Sequence, residues 1–262
     1  MTQFLHSSAQ KGFSIAAELY QQVRPSYPQN IGNWLENQLQ LNPQSTIIDL
    51  GSGTGKFLPY LQKITANVIA VEPISAMLAQ LQMHYPNIQS VQAFSHNLPF
   101  SSNFADVICC AQSFHWFSNI ETLQELSRVI KDHGWLVLIW NQRDIQVNWV
   151  KALADLIQPF EGDTPRYHNN TWQEIFQEQS LFTFKQHITF PLSHHGTVEQ
   201  VVINRLLSTS FIAAMPSHQQ SEMKQKIENI LRDYTHKTAQ DEINFPYITH
   251  VYLFQKSPSV AG

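Results

Sequence analysis

Apolar positions change period several times along the chain, and each change marks an element. From Phe13 to Val23 they recur mostly at three and four (Phe13, Ala16, Ala17, Leu19, Tyr20, Val23), the spacing of one helical face. Arg24-Pro25 ends that helix, because the residue before a proline is driven out of the α region. A second helix is predicted from about Gln29 to Leu39, with Ile31, Trp34, Leu35 and Leu39 inward. The β-branched run before Asp49 reads as a strand, and Lys56 to Ile64 as a helix. Val68 to Val71 reads as a buried strand ending at Glu72. Pro73 is expected in the first turn of the next helix, where Ile74, Met77, Leu78 and Leu81 share a face. Further strands are predicted at Ile88–Ala93, Ala105–Ala111 and, after an Asn119-capped helix and a turn over residues 131–134, Trp135–Trp140. Such unbroken apolar runs suit strands covered on both faces.

Beyond residue 145 the pattern loosens. Helices are predicted at Val147–Gln158 and Trp172–Gln179, strands at Phe184–Leu192 and Tyr247–Gln255, and two helical pieces between those strands, near Val198–Leu207 and Ser217–Tyr234. Strands alternating with helices predict an α/β fold: a doubly wound, mostly parallel seven-stranded sheet with its ligand at the carboxyl ends of the strands. The helical excursion reads as a cap inserted before the last strand. We therefore expect one domain over residues 1–262, with N-terminal helices (13–40) over the site, a core at 45–141 and a cap at 197–235. Long insertions in compact domains are often functional, so the cap is a candidate substrate lid.

Composition narrows the partners. The 262 residues are 43% hydrophobic and only 14% charged, with a formal charge of −4 and no basic run. The electrostatic footprint of a nucleic-acid binder is missing, and a small molecule is the expected partner. The longest apolar run, Trp135 to Trp140, is far short of the ~18 residues of a membrane span. The amino terminus has no signal pattern, which predicts a soluble, cytoplasmic protein. Oligomeric state leaves no mark on the sequence. Cys109 and Cys110 are adjacent in a strand and should point to opposite faces, as two buried apolar side chains. His194-His195 lacks a spaced acid or thiol, so no metal site is expected.

The candidate chemistry centres on Asp49-Leu50-Gly51-Ser52-Gly53-Thr54-Gly55. Alternating glycines let backbone approach a ligand closely, and the following helix offers unpaired amides. A ligand-free tight turn would need only one glycine. A dinucleotide fingerprint requires glycine at 56, where Lys56 stands, and no Gly-Lys-Ser/Thr closes a Walker loop. Both phosphate readings, and with them a nicotinamide dehydrogenase, are disfavoured.

Four ordered segments carry a family resemblance: DLGSGTG, VIAVEPISAML, LPFSSNFADVICCAQSFHWF and ELSRVIKDHGWLVL. Over residues 45–141 the chain resembles the class I methyltransferases that use S-adenosylmethionine, with their Rossmann-like fold. Tyr20 to Pro28 and the Gln112 to Phe117 loop resemble the branch containing trans-aconitate methyltransferases. The resemblance implies S-adenosylmethionine as cofactor, held by Asp49, Gly51, Ser52, Gly53 and Gly55, with Glu72 on the ribose hydroxyls and Pro73 beside it. It places Phe94 and Ser95 against adenine. Met77 is either an adenine-pocket residue or core. Tyr20 and Arg24 are expected at the methionine end, Arg24 pairing its carboxylate, with core packing the alternative for Tyr20 and a surface helix-end arginine that for Arg24. Gln112 belongs to the same cofactor set.

The resemblance implies methyl transfer to a small-molecule acceptor. A catalytically silent adenosyl-ligand binder or regulatory protein is the alternative. Aligning the acceptor and excluding water are the main tasks. His115, after the fourth strand, is either a general base or a ring that shapes the pocket. Trp116 and Phe117 shield the sulfonium, stack on substrate or fill core. A carboxylate acceptor needs no base and would use guanidinium groups, for which Arg143, Arg166 and Arg205 are the substrate candidates.

Overall fold

The computed structural model describes residues 23–258. Tyr20 and the helix expected from Phe13 lie outside them. The helices α1 (Ile31–Leu39), α2 (Leu58–Leu61), α3 (Ser75–His84) and α4 (Ile120–Val129) flank the parallel strands β1 (Ile47–Leu50), β2 (Val68–Val71), β3 (Gln89–Val91), β4 (Ala105–Ala111) and β5 (Ile130–Arg143). Every residue of β1 and β2 is buried, as a parallel sheet covered on both faces requires. Then β6 (Phe182–Thr197) and β7 (Glu242–Lys256) pair antiparallel with each other, and β7 lies antiparallel against β5. The sheet order is β3-β2-β1-β4-β5-β7-β6. Its direction reverses between β1 and β4, which leaves a crevice at their carboxyl ends.

Side-chain alternation divides the core. Ile47, Val107, Cys109, Val137 and Ile139 face a cluster shared with α1 and α2, while Ile48, Ile108, Cys110, Leu136 and Leu138 face one shared with α4. The adjacent cysteines therefore lie on opposite faces. A third cluster joins α5 (Asn148–Ile157) to the helices between β6 and β7. These are a π-helical turn at Glu199–Ile203, α7 (Asn204–Leu207), α8 (Ser210–Ala213) and α9 (Ser217–Thr235), reached after the single turn α6 (Thr171–Glu174). Phe245 and Tyr247 of β7 pack into that third cluster.

Several boundaries differ from the sequence pattern. The helix expected over Lys56–Ile64 shortens to α2, because the third glycine of the loop is followed by turns as far as Phe57. Pro73 precedes the helix instead of sitting in its first turn: Ile74 is extended at φ −89°, ψ 111°, and α3 begins at Ser75. The turn expected over 131–134 is part of β5. There His133 takes φ +63° and the ladder to β4 is irregular, while Lys131 Nζ lies 2.8 Å from Asp106 Oδ2. Asp106 also accepts from Thr46 N at 2.7 Å, which explains an acid inside an apolar strand. Asn119 caps α4 as its sequence position suggests, its side chain accepting from Thr122 N at 2.8 Å. This satisfies one orphan amide of the first turn.

Candidate active site

The switch between β1 and β4 opens into a cleft enclosing about 940 Å³, part of it open to solvent. Its floor is the glycine loop. Gly51 and Gly53 take φ +67° and +57°, and a Cβ on Gly51 would sit 2.5 Å from the Ser113 Cβ. Backbone approach of this kind is open to glycine alone. The loop is fixed where it leaves β1: Gly51 N donates to Val71 O at 2.8 Å, and Ser113 Oγ donates to Leu50 O at 2.7 Å.

Glu72 closes the cleft from the end of β2. One carboxylate oxygen accepts from Gly53 N at 2.8 Å and the other from Ile74 N at 2.9 Å. A carboxylate oxygen has a second lone-pair site, so both still accept. Burial raises this acid to about 7 despite the two amides that lower it. Asp49 is fully buried, and neither side-chain oxygen has a hydrogen-bond partner among the described residues. Burial first, and the nearby Glu72 second, push it up to about 8. Unpartnered carboxylate oxygens in a lined cleft are the chemistry that donors on a ligand, hydroxyl or ammonium, would satisfy.

Arg24, Asp49, Gly51, Ser52, Gly53, Glu72, Pro73, Met77, Gln112 and Trp116 all line this cleft. Other expected positions do not. Phe94 is 45% exposed and stacks on His96, and buried Ser95 is hydrogen-bonded to Thr122 Oγ1 at 2.9 Å. Gly55 lies beneath Tyr85, whose ring would meet an added Cβ at 2.7 Å. Lining residues that sequence reasoning missed include Lys56, Ile74 and Asn141. Asn141 follows the β5 apolar run and could have been found from the rule that ligands meet strand carboxyl ends. Its amide donates to Ser26 O at 2.8 Å, and its oxygen accepts from Thr249 Oγ1 at 2.7 Å. Burial and the Arg24 charge lower the Lys56 ammonium to about 8.

A second chamber of about 530 Å³ adjoins the first, and Arg24, Gln112, Asn141 and Arg205 line both. Arg143 from the end of β5, Arg166 from the stretch before α6, and Arg205 from α7 converge on it with His115. Arg205 Nε is buried without a partner among the described residues. Burial and the Arg205 charge lower Arg143 to about 10, which leaves it cationic at neutral pH. Arg166 lies over the Phe211 ring at 4.9 Å. His115 Nδ1 accepts from Trp140 Nε1 at 3.0 Å. Burial, then the charges of Arg166, His168 and Arg24, lower His115 to about 3. A group held neutral to that extent is a poor general base, and a base is the weaker of the two roles the sequence allows it. Between the chambers, Gln112 holds φ +63°, a conformation uncommon outside glycine.

Fold and site together define a doubly wound α/β domain whose switch-point cleft suits an adenosyl cofactor: a glycine cradle, an accepting carboxylate for a vicinal diol, and an apolar wall of Pro73, Ile74 and Met77. The family profile described as Methyltransferase domain matches residues 48–138. Among relatives, the uncharacterised methyltransferase-like protein C25B8.10 of Schizosaccharomyces pombe is 30% identical over 251 residues, 95% of this chain and 97% of that protein. The uncharacterised methyltransferase Rv3342 of Mycobacterium tuberculosis is 26% identical, with 90% and 92% covered. Solved structures share the fold. The YcgJ protein of Bacillus subtilis has a TM-score of 0.53 at 18% identity, covering 87% of this chain and 98% of its own. The [4+2]-cyclase SpnF has a TM-score of 0.58 at 12% identity, with 97% and 98% covered. The chain belongs to the class I methyltransferases, and S-adenosylmethionine is its cofactor.

Proposed function

We propose that this protein methylates a small carboxylic acid, as a member of the trans-aconitate methyltransferase-like branch. The observation that carries the reading is the convergence of Arg143, Arg166 and Arg205, from three separate segments, on a chamber continuous with the cofactor cleft. Guanidinium forks match carboxylate geometry and stay charged at any physiological pH. Bound S-adenosylmethionine would supply an electrophilic methyl on a cationic sulfur, and its transfer to a carboxylate oxygen would leave the electron pair on sulfur and require no proton to be removed.

The residues of this chain then have distinct tasks. Glu72 accepts from the ribose hydroxyls while holding Gly53 and Ile74 by their amides. Asp49, Gly51, Ser52 and Gly53 hold the ribose and methionine portion, and Pro73, Ile74 and Met77 pack on adenine. Arg24 pairs the methionine carboxylate. Its Nη2 donates to Ser208 O at 3.0 Å, which ties this segment to the helices between β6 and β7. Those helices act as the cap, and Trp116 and Phe117 exclude water from the reacting centre. Incubating the protein with labelled methyl donor and a panel of small acids, amines and phenols tests the proposal. Label is expected in acids, and label confined to the amines or phenols contradicts it.

A further inference from the structure

The indole N–H of Trp140 donates and has no capacity to accept. The His115 Nδ1 that meets it at 3.0 Å is therefore the unprotonated nitrogen. A neutral imidazole in that position carries its proton on Nε2. The His115 ring lines the arginine chamber, and Nε2 has no partner among the described residues. Trp140 is itself immobilised, fully buried against Tyr167, Trp172 and Tyr252. It acts as a positioning residue that holds both the orientation and the tautomer of the histidine. The electrostatic surroundings have the same sense. Arg166 and His168 approach from the stretch before α6 and Arg24 from the segment before α1, while Glu161, the acid lining this chamber, is engaged by His168 at 2.9 Å.

We infer that His115 serves the acceptor as a neutral hydrogen-bond donor through Nε2–H, its tautomer fixed by Trp140, and takes no proton in the reaction. The donor role rests on the carboxylic-acid reading above, and the tautomer does not. It adds an imidazole N–H to the guanidinium groups of Arg143, Arg166 and Arg205, with Arg24 at the border of the two chambers, and so favours an acceptor already deprotonated. A protonatable amine or a phenol would bring a proton that His115, with Nδ1 engaged by Trp140 and Nε2 protonated, is not placed to remove.

Nitrogen-15 NMR of histidine-labelled protein, loaded with S-adenosylhomocysteine, reads the tautomer without turnover. His115 is expected to stay neutral from pH 8 to pH 5 with its proton on Nε2. Protonation with a midpoint near 6.5, or a proton on Nδ1, overturns the assignment. Succinate titrated by calorimetry into the same complex reads the donor. Losing one hydrogen bond to a charged group should weaken succinate about 10- to 100-fold in His115→Ala. His115→Gln, whose amide N–H reaches the Nε2 position, should restore most of that loss. Equal affinity in all three proteins removes the donor role. If the unsubstituted protein binds no succinate and labels no acid, the carboxylic-acid reading and the donor role fall together. Succinate bound beside a protonated His115 defeats only the histidine assignment.

Discussion

Glu72 does two jobs with one carboxylate, holding the glycine loop by Gly53 N and facing the cleft. Glu72→Ala should weaken S-adenosylhomocysteine binding about 10- to 100-fold, the loss of one or two charge-assisted hydrogen bonds. Calorimetry on protein with a preserved circular dichroism spectrum measures it, and unchanged affinity removes the ribose role. The buried acids also set a pH dependence. In the folded chain Asp49 is raised to about 8 and Glu72 to about 7, so folding takes up protons and stability falls as pH rises from the carboxylate range toward 8. His115 and His194, depressed to about 3 and about 4, have the opposite sign. Their contribution is present above about 6.5 and lost as pH falls through those values. Lys56, lowered to about 8, adds stability only as pH rises further. Between pH 6.5 and 8 the acids dominate. The melting temperature of the ligand-free protein should drop by roughly 2–6 °C, the effect of about 1–2 kcal/mol at this size. Asp49→Asn should flatten that drop, and an unchanged slope would show that Asp49 is ionised in the fold.

At the scale of elements, the loop between β1 and α2 depends on Gly51. With φ at +67° and Ser113 where a Cβ would go, Gly51→Ala combines backbone strain with a steric clash. We expect about 2–4 kcal/mol of destabilisation in chemical denaturation; less than about 0.5 kcal/mol would mean the loop is not anchored on Ser113. The strands, the loop and the Asn119 cap were legible in the sequence because each is a local signal: period, glycine spacing, a capping side chain. The third glycine was legible as loop but not in its use, since its partner Tyr85 is thirty residues away. The placement of Phe94 and Ser95 was illegible for a like reason. The end of β3 at Val91 and the Ser95–Thr122 hydrogen bond turn that segment toward α4. Neither contact has a local signature.

For the whole molecule, the arginine chamber exists only once the fold is complete, because β5, α7 and the stretch before α6 supply one guanidinium each. The sequence suggested the three residues as guanidinium partners for a carboxylate, and tertiary structure alone brings them to one space. Arg143 lines that chamber and not the cofactor cleft. Arg143→Met should therefore raise KM for the acid about 10- to 100-fold, the weight of a charge-assisted bond, while S-adenosylhomocysteine affinity stays within about threefold. An equal loss of both would assign Arg143 to the scaffold. Among the described residues no helix is long and apolar enough to cross a membrane. The measurement that bears most directly on the account is the alkali lability of label transferred from S-adenosylmethionine to a pool of small metabolites. A carboxylate acceptor yields methyl esters, so mild alkali should release the label as methanol. Label that survives alkali, as N-methyl or C-methyl groups do, would contradict it.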